Sequence, residues 1–253
     1  MPDPVAALAA DVAVLPAIVA VVLGGSRAVG SHRPDSDWDL GLYYRGSEAA
    51  LDPADVRRLV GESGVVSALG EWGPIVNGGA WLTLDGTPVD LLFPDLDVVE
   101  PWMRDAEEGR FEILTQNGYV VGAPTYLLIG ELAMCRPLHG ELRRPVFPEP
   151  LVRTAPGRWN GRAGVSLTFA TGYAEVADAV ACTGMLAGAI LSAAHARLTS
   201  RREWVLNEKR LVERAGLARV QRHLGAAGTT RETLRATVGE VTRALGVEPL
   251  GPR

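Results

Sequence analysis

Apolar residues run almost unbroken through PAIVAVVLGG (16–25) and stop at two glycines, the pattern of a buried β-branched strand. WDLGLYY (38–44) alternates as a second strand. PADVRRLVGES (53–63) has helical spacing and opens behind Asp52, a good N-cap residue. AWLTLDGTPVDLLF (80–93) places two β-rich runs around Asp85-Gly86, a strong hairpin signal. Together with an apolar N-terminal segment, these predict a small mixed sheet backed by helices and ending near Pro94. A helix is expected around 125–135, followed by a turn at Arg136-Pro137.

RRPVFPEP (143–150) concentrates three prolines and reads as a linker. Beyond it the chain is rich in alanine, leucine and arginine, with helices expected at 160–177, 179–198, 203–215 and 230–245. Gly172, Gly184 and Gly188 are expected to let two of these helices pack closely, at roughly 1 kcal/mol of helix propensity each. The fold class is therefore α+β, with a mixed-sheet domain over 1–142 and an all-α bundle over 150–253. No internal repeat or low-complexity segment interrupts either part.

Composition narrows the setting. Apolar residues make up 47% and charged residues 22%, ordinary for a water-soluble chain. The N-terminal run carries Asp3 and Asp11 and is split by Pro16, against both a signal peptide and a membrane span. Cys135 and Cys182 have no metal-ligand spacing around them, so two free thiols in a reducing cytoplasm are expected. The net charge of -5 is uneven: residues 191–253 hold 12 Lys/Arg against 6 Asp/Glu, and the rest is acidic. An acidic front and a basic tail suit a site that gathers cations and another region that receives phosphates. Aromatic residues are not interleaved with the basic ones, which disfavours nucleic-acid binding. Oligomeric state is not legible.

The candidate chemistry sits in GGSRAVGSHRPDSDWDL (24–40). On a strand Asp37 and Asp39 point to one face while Trp38 and Leu40 point to the other. Paired carboxylates repel unless divalent cations sit between them, and Mg²⁺ prefers such oxygen ligands. Asp90 is a third carboxylate, in PVDLLF, where its apolar neighbours make a charge expensive without a partner. If its strand lies beside that of Asp37 and Asp39, the three converge on a two-metal site, with Asp90 also placed to take a proton from an attacking hydroxyl. Gly25-Ser26, after a strand and before a helix, lets backbone N–H groups approach a phosphate, and Arg27 either reaches the same phosphates or lies in solvent. The loop matches neither a P-loop nor a dinucleotide fingerprint. Asp35 reads as a loop residue, and His32 lies between the phosphate and metal elements.

This order, a hydrophobic strand, Gly25-Ser26, a short helix, the Asp37/Asp39 pair and a later strand aspartate at Asp90, resembles the DNA polymerase β-like nucleotidyltransferase superfamily over residues 16–94. The resemblance implies that Gly25 and Ser26 hold a nucleoside triphosphate and that Asp37, Asp39 and Asp90 hold metal, two Mg²⁺ ions. Chain length and a helical second half look most like the small-molecule branch, the aminoglycoside and lincosamide nucleotidyltransferases. It implies transfer of a nucleoside monophosphate, AMP from ATP, to a small-molecule hydroxyl with release of pyrophosphate. A protein or tRNA acceptor, or a regulatory module without catalysis, are the alternatives. In REWVLNEKRLVERAG (202–216) a helix would put Glu203, Asn207 and Arg210 on one face with Glu208 and Lys209 beside it. Lys209 is the only lysine among 24 arginines and is a candidate phosphate ligand. Glu131, Glu175 and Asp178 are candidates for an acidic rim, although each also reads simply as a surface helix residue. His195 reads as structural, and Trp72, Trp81 and Trp159 as core or cleft wall rather than base-stacking platforms.

Overall fold

A computed structural model describes residues 1–251; Pro252 and Arg253, which fall in the expected helical domain, lie outside the described residues. The chain forms two compact units. One comprises Met1–Ala106, Phe111–Gly118 and Gly122–Val146; the other comprises Glu107–Arg110, Tyr119–Val121 and the chain from Phe147 onward.

The first unit runs α1 (Asp3–Ala13), β1 (Ile18–Leu23), α2 (Gly25–Ala28), β2 (Trp38–Tyr44), α3 (Pro53–Val60), β3 (Gly64–Val66), β4 (Gly79–Leu84), β5 (Thr87–Leu92), α4 (Leu96–Glu107), β6 (Ile113–Leu114), β7 (Ala123–Pro124), α5 (Leu127–Met134) and β8 (Arg136–His139). Six strands form one mixed sheet in the order β3-β4-β5-β2-β1-β8, in which β2 and β5 are parallel and the other neighbours antiparallel. β6 and β7 pair separately.

One sheet face is closed by helices. Val5, Leu8, Ala9 and Val12 recur at helical spacing on α1, and Val56 and Val60 on α3. These join Leu40, Leu42, Val89 and Leu91 in a single core. Asp52 caps α3 as expected, its carboxylate accepting from Ala54 N at 2.8 Å. The hairpin turn Asp85-Gly86 has φ of 46° and 78°, the primed geometry that matches strand twist. Arg136-Pro137 is not a turn. It opens β8, an edge strand paired with β1, where a proline costs no ladder bond on the open side.

The second unit is helical: α6 (Glu149–Glu175), α7 (Ala179–Ser200), α8 (Leu211–Arg214), α9 (Gln221–Gly225) and α10 (Arg231–Leu245). α6 begins eleven residues before the expected start, with Pro150 in its first turn and Pro156 carried inside it. Burial of Leu151, Ala155 and Trp159 along one face accompanies that proline. Alanines from both long helices, among them Ala163, Ala170, Ala189 and Ala193, are buried in the core of this unit. Gly172 and Gly184 face open space, so of the three expected glycines only Gly188 has neighbours within 4 Å of where a Cβ would lie.

The expected helix over 203–215 is absent apart from α8. Arg202 and Arg210 adopt φ of 61° and 54°, and two of the carbonyls between them accept from side chains. Arg214 Nη2 donates to Trp204 O at 2.9 Å, and the Tyr119 hydroxyl donates to Leu206 O at 2.8 Å. Those bonds occupy acceptors that a helix would need. α7 is long and apolar enough to cross a membrane by length and composition, with a mean hydropathy of 1.5 in its most apolar window, half of which is buried. Its buried residues belong to the core of the helical unit.

Candidate active site

The face of the sheet opposite α1 and α3 carries the three candidate carboxylates. Asp39 on β2 pairs in register with Asp90 on parallel β5, so both carboxylates project from the same face on adjacent strands. Asp37 lies immediately before β2, two residues from Asp39 and on the same side of the alternation. One oxygen from each of Asp37, Asp39 and Asp90 lies within 4.8 Å of the others, and all three residues are half-buried. An all-oxygen set this close fits a hard divalent cation such as Mg²⁺. Without a neutralising partner three carboxylates would repel at this separation, by amounts that grow as the local dielectric falls.

The glycine loop sits against Asp39. Gly24 N donates to Asp39 O at 2.8 Å, tying the end of β1 to the site. Gly25 has φ of 58°, and a Cβ there would stand 1.8 Å from Asp39 Oδ2. Only glycine satisfies both the left-handed backbone and that approach. Ser26 follows in the one-turn helix α2.

Arg27 has a visible local task. Its Nε donates to Asp37 O at 2.9 Å, its Nη2 donates to Ser36 O at 2.5 Å, and its guanidinium carbon lies 4.2 Å from the centre of the Trp38 ring. It therefore fixes the backbone that presents Asp37. Asp35 is exposed and pairs with Arg33 at 3.1 Å, as a loop residue would. His32 is exposed in the same loop.

Glu131, on α5, is close enough to Asp39 to feel its charge. Burial first, and then the Asp39 carboxylate, push the Glu131 carboxyl up to about 8. Tyr43, on β2 two pleats beyond Asp39, is buried, and burial with Glu131 nearby raises its hydroxyl well above the usual range. The other two acidic-rim candidates have structural partners in the helical unit. Glu175 pairs with Arg235 at 3.2 Å and Arg231 at 3.8 Å, and Asp178 caps α7 by accepting from Ala181 N at 3.0 Å. Lys209 is exposed in a turn, its backbone N–H held by Asn207 Oδ1 at 3.0 Å. Because no helix forms there, Glu203, Asn207 and Arg210 do not share a helix face. Glu208 instead accepts from Val120 N and Val121 N at 2.7 and 3.0 Å.

His195 and Trp159 are buried in the helical unit with ring centroids 4.1 Å apart, as structural residues. Trp81 is not a core residue: it is 59% exposed, on the sheet face that carries Asp39 and Asp90. A cavity of about 380 Å³ lies at the far, Tyr44 end of β2 and includes none of the three aspartates.

No family model and no curated protein matches this chain. Among solved structures it is similar to a nucleotidyltransferase-like protein from Exiguobacterium sibiricum 255-15, at 9% identity over 96% of this chain and 73% of that one, with a TM-score of 0.46. It is also similar to the CdnE cyclic dinucleotide synthase of Elizabethkingia meningoseptica, a structure with GTP and Apcpp, at 9% identity over 96% and 90%, with a TM-score of 0.30.

Proposed function

We propose that the chain is a divalent-metal-dependent nucleotidyltransferase of the DNA polymerase β-like superfamily, in its small-molecule branch. It transfers a nucleoside monophosphate, AMP from ATP, to the hydroxyl of a small molecule. The observation that carries this reading is the convergence of Asp37, Asp39 and Asp90 within 4.8 Å on one sheet face, with Gly24-Gly25 against Asp39. The two buried, unpaired cysteines accord with the cytoplasmic setting we propose.

In this reading residues 1–142 form the catalytic domain and 150–253 the helical one. Gly25 and Ser26 hold the triphosphate through backbone N–H groups and a hydroxyl, and Arg27 contributes to the same phosphates while it steadies Asp37. Lys209 is proposed as a further phosphate ligand, which a raised KM for nucleotide in Lys209→Ala would check. Asp37, Asp39 and Asp90 would hold two Mg²⁺ ions, which when bound neutralise phosphate charge and acidify the attacking hydroxyl. Asp90 lies on the side of Asp39 away from the glycine loop, placed to accept the hydroxyl proton. The hydroxyl oxygen forms a bond to the α-phosphorus as the bond from that phosphorus to the bridging oxygen breaks. Pyrophosphate leaves, and the products are the nucleotidylated acceptor, pyrophosphate and one proton. Positioning and charge neutralisation supply most of the acceleration.

The test is pyrophosphate release from each nucleoside triphosphate with Mg²⁺ against an acceptor library that includes aminoglycosides and lincosamides. Acceptor-dependent release, fastest with ATP, is expected. Nucleotide turnover that no small hydroxyl compound accelerates would overturn the small-molecule assignment.

A further inference from the structure

The in-register row that carries Asp39 and Asp90 does not end there. Asp90 on β5 pairs with Trp81 on antiparallel β4, and Trp81 pairs with Val65 on β3. Directly opposed residues share a face, with Cβ atoms about 5 Å apart. The order across the open face is thus the glycine loop, Asp39, Asp90, Trp81 and Val65. Val65 is 69% exposed, so the row beyond the carboxylates is apolar and open to solvent.

Trp81 is also held. Trp72, from the loop before β4, stacks on it with ring centroids 4.6 Å apart and an interplanar angle of 22°. Position 79, two residues before Trp81, is glycine, and a Cβ there would stand 2.0 Å from Leu91 O on the neighbouring strand and 2.5 Å from the Trp72 ring. The absent side chain lets Trp72 lie against the sheet beside Trp81. Two indoles locked face to face, with more than half of one exposed, form a flat surface whose ordering cost is met before any ligand arrives. Burying such a surface in water is favourable, and a stacked aromatic partner adds to the gain.

We propose that Trp81, backed by Trp72, is the binding platform for the acceptor, and that the acceptor carries a planar aromatic ring. This rests on the nucleotidyltransferase reading, because that reading puts the triphosphate at the Gly25 end of the row and leaves the Trp81 end for the acceptor. The spacing of about 5 Å between neighbouring positions also sets a length: the reacting hydroxyl lies one to three bonds from the ring. An aryl-substituted alcohol fits, with its ring on Trp81 and its hydroxyl over Asp90.

The test uses the full chain labelled with ¹⁵N and reads the tryptophan indole N–H signals. Mn²⁺ is added first. Broadening of the Trp81, Trp72 and Trp38 signals, absent in the Asp37→Ala/Asp39→Ala double variant, is expected if the carboxylates bind metal; its absence would defeat the nucleotidyltransferase reading itself, and this proposal with it. With Mg²⁺ and α,β-methylene-ATP in place, benzyl alcohol and cyclohexylmethanol are then titrated as probes. The Trp81 signal, identified by its loss in Trp81→Phe, is expected to shift saturably with benzyl alcohol, at a concentration about fivefold below that for cyclohexylmethanol. That factor corresponds to roughly 1 kcal/mol of stacking beyond plain burial. Metal broadening with an unmoved Trp81 signal, or with equal affinity for the two alcohols, would overturn the platform while leaving the metal site standing.

Discussion

Gly25 shows how little freedom single positions have in this site. A side chain there meets both an unfavourable backbone region and the Asp39 carboxylate, so Gly25→Ala must displace one of them. Nucleotidyl transfer in this variant is expected to fall at least about 100-fold with the fold retained, since misplacement on the order of 1 Å costs that much. Steady-state kinetics and circular dichroism check it together. Arg27 acts more softly. Removing its bonds to Ser36 O and Asp37 O loosens the approach to Asp37 without removing a carboxylate. Arg27→Ala is expected to raise the Mg²⁺ concentration needed for half-maximal activity, with a smaller loss at saturating Mg²⁺ than Asp37→Ala.

At the scale of elements, the strands and their carboxylates were legible because period-two alternation and the Asp85-Gly86 turn are local signals. The shared face of Asp37 and Asp39 follows from alternation alone. That Asp90 joins them depends on β5 pairing with β2 across fifty residues, and the motif order anticipated it. What escaped was set by tertiary contact. The 203–215 segment has helical spacing, yet the carbonyls of Trp204 and Leu206 are taken by Arg214 and Tyr119. α6 runs through Pro156, where local propensity argues for a stop. The exposure of Trp81 could not be read either, since a tryptophan in an alternating strand fits a buried face equally well. α3 gives a direct check on local signals. Asp52→Ala should cost about 1 kcal/mol of stability through the lost cap, measurable by urea unfolding of the whole chain.

Across the molecule, the two units carry different electrostatic burdens. The sheet unit concentrates carboxylates, whereas the helical unit buries a neutral imidazole. His195 is 1% exposed, and neither ring nitrogen has a hydrogen-bond partner among the described residues. Burial, with the charge of Arg214 adding to it, lowers its pKa to about 3. The unfolded chain, near 6.5, therefore binds a proton that the folded chain refuses. Stability is at its full value above about pH 6.5 and falls as the pH drops toward 3, by about 2 kcal/mol at pH 5. Urea unfolding at pH 7 and pH 5 should show this loss in the wild type and a smaller one in His195→Leu. The most direct test of the central claim lies in the sheet unit: Mg²⁺-dependent pyrophosphate release from ATP, compared between the wild type and folded Asp37→Ala and Asp39→Ala variants. Release by the wild type and none by either variant is expected; activity that survives both substitutions would contradict a metal-holding role for these carboxylates.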